Sequence, residues 1–105
     1  MARWIVRRHG AVLGVIDETE REMWNVRGTF APAVAFDATI ASVFARKAAL
    51  AEQLEEDDDD AVVAAFDALE AQTSPPELEL VGDDGRAQDF GLLYVEGNAA
   101  GFRLV

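Results

Sequence analysis

The chain has 105 residues, half of them apolar and 28% charged, the composition of one globular domain large enough to bury a core. It contains no cysteine, which excludes a disulfide scaffold, a thiolate metal site and a cysteine nucleophile together. Nine basic against twenty acidic side chains leave a net charge of −11, the wrong sign for a protein that grips nucleic acid through its phosphates.

Arg7 and Arg8 precede the apolar stretch Ala11 to Ile16, a superficial likeness to a twin-arginine export signal. The stretch runs directly into Asp17-Glu18-Thr19-Glu20, short of the roughly 7–15 apolar residues and small-residue cleavage site of such signals. No window approaches the roughly 18 apolar residues of a membrane span. The expectation is a cytoplasmic protein with no membrane contact.

Two short strands, Arg3 to Arg8 and Ala11 to Ile16, flank His9-Gly10, a two-residue hairpin link with glycine where positive φ is needed. A charged loop over residues 17–22 is expected next, with Thr19 and Glu22 at capping-box spacing. A third strand begins at Met23 and sets Trp24, Val26 and Phe30 on one face.

Pro32 ends that strand and can open a helix. From Ala33 onward Phe36, Ile40, Val43, Phe44, Leu50 and Leu54 follow helical spacing. A second helix is expected to start within Glu55 to Asp60, to carry Val62, Phe66 and Leu69 inward with Phe66 as its core anchor, and to stop at Thr73-Ser74-Pro75-Pro76. Strands return over Glu77 to Val81, Ala87 to Glu96 (Phe90, Leu92 and Tyr94 in phase) and Phe102 to Val105. Turns at Gly82 to Gly85 and Gly97 to Gly101 divide them. The order βββ-αα-βββ predicts a single α+β domain over residues 1–105, a mostly antiparallel sheet with a helical hairpin packed on one face.

Strand phase groups Trp4, Val6, Val12, Ile16, Trp24, Val26, Phe30, Leu78, Leu80, Phe90, Leu92, Tyr94, Phe102 and Leu104 on the face under the helices. The reverse face would hold Arg3, Ile5, Arg7, Leu13, Val15, Asn25, Arg27, Val81, Leu93, Val95, Arg103 and Val105. Arginines among aliphatics are the mixture of a contact surface, and Arg3, Ile5, Arg7, Arg27, Leu93, Val95 and Arg103 are its candidate interface residues, most simply covered by a second copy. Scattered exposed aliphatics, normal on any monomer, are the plainer account.

Charge is uneven along the chain. Residues 1–50 hold seven basic and five acidic groups, residues 51–105 two and fifteen. Glu55, Glu56, Asp57, Asp58, Asp59 and Asp60, extended by Glu52, Asp67 and Glu70, form a candidate contact zone for a basic partner. Solubility alone also accounts for such charge.

Chemistry-bearing patterns are thin. His9 stands alone in a turn, Ser42 and Ser74 lie in no nucleophile elbow, and the glycines form no phosphate-binding pattern. The run Asp57 to Asp60 and Asp83-Asp84-Gly85 lack calcium-loop spacing. Carboxylate pairs are too numerous to be specific, Asp89 and Glu96 being the least arbitrary. No catalytic residue, cofactor or metal site is assigned.

Trp24-Asn25-Val26-Arg27-Gly28-Thr29-Phe30, the following Pro32, and a helix carrying Phe36 and Phe44 resemble small hypothetical proteins of actinobacteria. The ending from Asp89-Phe90 through Leu92, Tyr94, Gly97 and Ala99 to Phe102-Arg103 adds to the likeness. The resemblance implies the α+β layout and a bacterial source, consistent with the excess of arginine over lysine, and transfers no activity. The expectation is a non-enzymatic acidic interaction module, of immunity or inhibitor type or an accessory subunit, bound to a protein partner or to itself. The alternative is a small-ligand binder or enzyme with its pocket between helices and sheet.

Overall fold

The computed structural model describes residues 2–105. β1 (Arg3–Arg8) and β2 (Ala11–Glu22) form the expected hairpin. His9 and Gly10 take φ of 50° and 83°, the left-handed pair that a tight right-twisted hairpin demands.

β2 does not stop at Ile16. It continues through the acidic stretch, whose first two acids find partners within the sheet rather than at a helix terminus, while Glu20 and Glu22 stay exposed. Asp17 Oδ1 accepts from Arg3 Nε at 2.9 Å, and Glu18 Oε1 accepts from the Trp4 indole at 3.1 Å and from Arg21 Nη2 at 2.9 Å. The turn falls at Met23-Trp24, with Met23 at φ 54°, and β3 (Asn25–Pro32) follows. Trp24 is therefore a turn residue, 59% exposed, and not part of the inner face. The two strands approach closely at Gly28, where a Cβ would collide with the Asp17 carbonyl.

Pro32 stays in β3, and Ala33 N–H donates to the Leu13 carbonyl at 2.8 Å. The helix start moves to the better cap. Asp37 accepts from Ile40 N at 3.1 Å and opens α1 (Ala38–Glu56). Asp59 caps α2 (Asp60–Gln72), accepting from Ala61 N at 2.7 Å. β4 (Leu78–Val81), β5 (Ala87–Gln88), β6 (Phe90–Glu96) and β7 (Ala99–Leu104) complete the chain, the last turn being only Gly97-Asn98. The class is α+β with an antiparallel sheet, as expected, in seven strands rather than six.

Strand order is β5-β4-β1-β2-β3-β7-β6, every pair antiparallel. β5 pairs with β4 at one end of that order and β6 with β7 at the other. Only Asp89 separates β5 from β6, so residues 87–96 are one bent strand that joins both edges and curls the sheet into a ring. Val6, Ile16, Val26, Leu80 and Leu93 fill its interior. Trp4 meets Phe102 edge-on at 5.2 Å, and Phe36 bridges Phe30 (5.0 Å) to Phe44 on α1 (5.9 Å).

Three register shifts break simple alternation: at Leu13, at Thr19, and between Gly91 and Tyr94. Each adds a residue to one strand and inverts the phase beyond it. Leu13, expected outside, is buried beside Gly14, whose missing side chain admits the Phe30 ring, while Val12 is exposed. α1 buries Ile40, Phe44, Lys47 and Leu50, whereas α2 has no fully buried residue. Phe66 is half-buried, so it is not the core anchor its spacing suggested. Among the described residues no helix is long and apolar enough to cross a membrane.

Replacing Phe44 with Ala should cost about 3–5 kcal/mol, as for other fully buried aromatics. Phe66→Ala should cost less than half as much, and urea melts of the two variants compare them directly. Equal losses would mean that α2 is packed as tightly as α1.

Candidate functional site

The third register shift builds the site. Gly91 pairs with Arg103 and Tyr94 with Gly101, so Leu92 and Leu93 oppose the single residue Phe102. Leu92 absorbs the extra length at φ 54°, a conformation that costs a leucine about 1–2 kcal/mol. Beyond it the faces exchange. Leu93 and Val95 turn into the core and leave the expected interface, and Leu92 stands 50% exposed. Tyr94 lies half-buried with its ring against Gly101, where a Cβ would strike it.

This stretch of β6 has no strand partner on its outer side, and its backbone groups are met by helix side chains. Leu92 N–H donates to Glu70 Oε2 at 2.9 Å, and the Leu93 carbonyl accepts from Lys47 Nζ at 2.8 Å. Lys47 Nζ also donates to Thr73 Oγ1 at 2.9 Å and forms an ion pair with Glu70 Oε1, an oxygen with no other partner. Thr73 Oγ1 itself donates to the Leu69 carbonyl at 2.9 Å. The Phe66 ring lies 5.8 Å from the ammonium. Two hydrogen bonds and the ion pair with Glu70 thus meet the ammonium, and Lys47 is 4% exposed. Burial pushes its pKa below the ordinary lysine value, and the hydrogen bond and charge of Glu70 oppose that shift.

A groove of about 270 Å³ opens above this cluster, walled by Phe44, Ala48, Ala51, Phe66, Leu92 and Tyr94, with Glu96 on its lining. Two further depressions border Leu92. One lies among Trp24, Leu104 and Val105 (about 470 Å³), the other among Asn25, Arg27, Tyr94 and Arg103 (about 230 Å³).

The expected interface splits between two places. Arg27 faces Gly101 and Arg103 faces Asn25, so the two arginines are diagonal neighbours across β3 and β7, and among the described residues neither forms an ion pair. Arg3, Ile5 and Arg7 lie on β1, two strands from β3. Arg3 pairs with Asp17, Arg7 with Glu79, and Ile5 is half-buried opposite the buried Val81. Glu55 to Asp60 are all exposed around the α1–α2 connection, but Glu70 points inward to Lys47 and leaves the acidic zone. His9 stays in its turn, its Nε2 3.7 Å from Glu77. Among the described residues no three histidine or carboxylate groups converge on a cation position.

Sequence reasoning passed over Lys47. The signal was available: the chain's single lysine falls on the apolar stripe, seven residues after Ile40 and three after Phe44. Comparison with protein-family models, curated proteins and solved structures found no match.

Lys47→Met should cost about 3–5 kcal/mol, because it leaves the partly buried Glu70 charge without its cation and removes the ammonium bond to the Leu93 carbonyl. Adding Glu70→Gln should recover a large part of that loss in denaturant melts. The pH dependence has a fixed sign. The unfolded chain holds the Lys47 proton up to about pH 10.4 while the folded one releases it earlier. Wild-type stability relative to Lys47→Met should therefore rise with pH in the window just below that value, and paired melts showing a falling difference would contradict the burial argument.

Proposed function

We propose that the chain is a non-enzymatic protein–protein interaction module whose contact surface centres on Leu92. The observation carrying this reading is a leucine held at positive φ with half its surface in water, between Trp24 and Tyr94 and beside two unpaired arginines. Tryptophan, tyrosine and arginine dominate the energetics of protein contacts, and backbone strain at an exposed apolar residue marks a position kept for use rather than for stability. The hydroxyls of both serines are engaged with carbonyls, Ser42 with Thr39 and Ser74 with Glu70, each at 2.7 Å, and His9 Nε2 lies 3.7 Å from the Glu77 carboxylate.

The partner is a different protein rather than a second copy, since −11 charges on each chain oppose self-association. A basic partner suits the acidic connection at Glu55 to Asp60. Capping employs Asp59, and acids at the C-terminal end of α1 work against its dipole, so the run exceeds what the helices need. An immunity or inhibitor role, or that of an accessory subunit, fits a small module of this kind.

Leu92→Gly tests the reading, because glycine accepts the left-handed backbone and keeps stability within about 1 kcal/mol of wild type. Wild-type, Leu92→Gly and Val12→Asp baits would be used for affinity purification from the native host, with mass spectrometry of what each retains. A protein held by wild type and Val12→Asp but lost with Leu92→Gly is the expected result. Identical recoveries from all three baits would remove Leu92 from the contact surface. With the partner in hand, Asp57→Asn/Asp58→Asn should slow association and flatten its salt dependence.

A further inference from the structure

We infer that the groove between α1, α2 and β6 is a binding site for a small aromatic amine, a flat apolar ring carrying one positive charge. Three observations converge on it. The first is an apolar demand left unmet inside the fold. α2 carries Val62, Phe66 and Leu69 at helical spacing, with Phe66 on the groove wall, yet none is fully buried, whereas an amphipathic helix normally seals such a stripe. The second is the space itself. Ala48 and Ala51 on α1 are too short to reach across to Phe66 and Tyr94, and the gap of about 270 Å³ remains. A sealed cavity of roughly 150 Å³ takes benzene, so this half-open groove has room for a bicyclic ring, with aromatic side chains in its walls for edge or offset stacking.

The third observation is charge. At the base of the groove the Lys47 ammonium is matched by Glu70 and its donors are spent, so it offers nothing to an anion. The charge left at the rim is negative. Glu96 lines the groove, and Glu55, one helical turn beyond Ala51, falls on the same face of α1. A ring seated against Phe66 and Tyr94 would hold its ammonium toward these carboxylates, and a carboxylate on the same ring would meet them with like charge. The occupant is thus a cation with an apolar body rather than a fatty acid or an aromatic acid.

Tryptamine, indole and indole-3-acetate form a matched probe set with one ring system and three charges. Titration into the isotope-labelled protein, followed through backbone amides, should give saturable shifts at Ala48, Ala51, Phe66 and Tyr94 with tryptamine. Indole should bind about two- to fivefold more weakly, the factor expected of one exposed ion pair, and indole-3-acetate weaker still. The preference for tryptamine should vanish at about 0.5 M salt, where screening reaches a few ångströms, and also in Glu96→Gln. Ala51→Leu, at an exposed helix position with its side chain entering the groove, should abolish binding of all three probes while leaving the melting temperature unchanged or raised. Absence of saturable shifts, binding that survives Ala51→Leu, or indole-3-acetate matching tryptamine would each overturn the inference. Should Ala51→Leu misfold, Glu96→Gln decides alone: an unchanged tryptamine-to-indole ratio in that variant removes the assigned charge recognition.

Discussion

An ammonium group sealed away from water must find an acceptor for each N–H or give up its charge. In this protein that requirement falls on Lys47, and the rest of the helical half is arranged around it. Its acceptors come from the end of α2 (Thr73), the last turn of α2 (Glu70) and the bulged part of β6 (Leu93), so one side chain on α1 ties together all three elements. α2 has little apolar burial of its own. Its position is set by polar bonds of fixed length and direction, which specify a geometry more sharply than non-directional apolar contact does. A buried ion pair of this sort is weak evidence of net stability but good evidence of a required arrangement.

The same cluster governs the surface. Glu70 spends one carboxylate oxygen on Lys47 and the other on the Leu92 amide, which holds β6 at the point where its register slips. The slip turns Leu93 and Val95 inward and leaves Leu92 outside between Trp24 and Tyr94. Core, latch and exposed patch are therefore consequences of one inserted residue, and the apolar groove beside Leu92 is what remains where β6 leaves its strand partner and α2 stands off.

Much of the architecture was legible. The His9-Gly10 turn, the change from period two to period 3.6 near residue 36 and the return of alternation at Leu78 mark the elements and their class. What failed were phases and boundaries. Alternation assigns a face only while pairing stays in register, and bulges at Leu13 and Leu92 carry no local mark beyond one apolar residue too many. Residues 17–22 read as a loop because their acids look solvated, yet Arg3, Trp4 and Arg21 engage Asp17 and Glu18 in a strand that leaves Glu20 and Glu22 to water. Ring closure was out of reach as well, since it depends on Asp89 handing one strand from β4 to β7. Of the expected contact residues Arg27 and Arg103 still share a surface, whereas Leu93 and Val95 are interior for the same bulge that exposes Leu92.

Closure of the ring has a consequence for how the chain is made. β1, β2 and β3 adjoin in sequence and can pair as they leave the ribosome, but β1 then waits with an open edge. Its partner along Ile5 to Arg8 is Leu78 to Val81, and β3 waits in the same way for Ala99 to Arg103. Both pairings span most of the chain, so the loop entropy is met only after synthesis is nearly complete. Until then the meander presents two unpaired edges around an apolar face, the form of strand most prone to pairing with another chain. The charged residues along β2, from Asp17 to Glu22, sit on that early hairpin and give it a strongly hydrated stretch through the interval before the ring can shut.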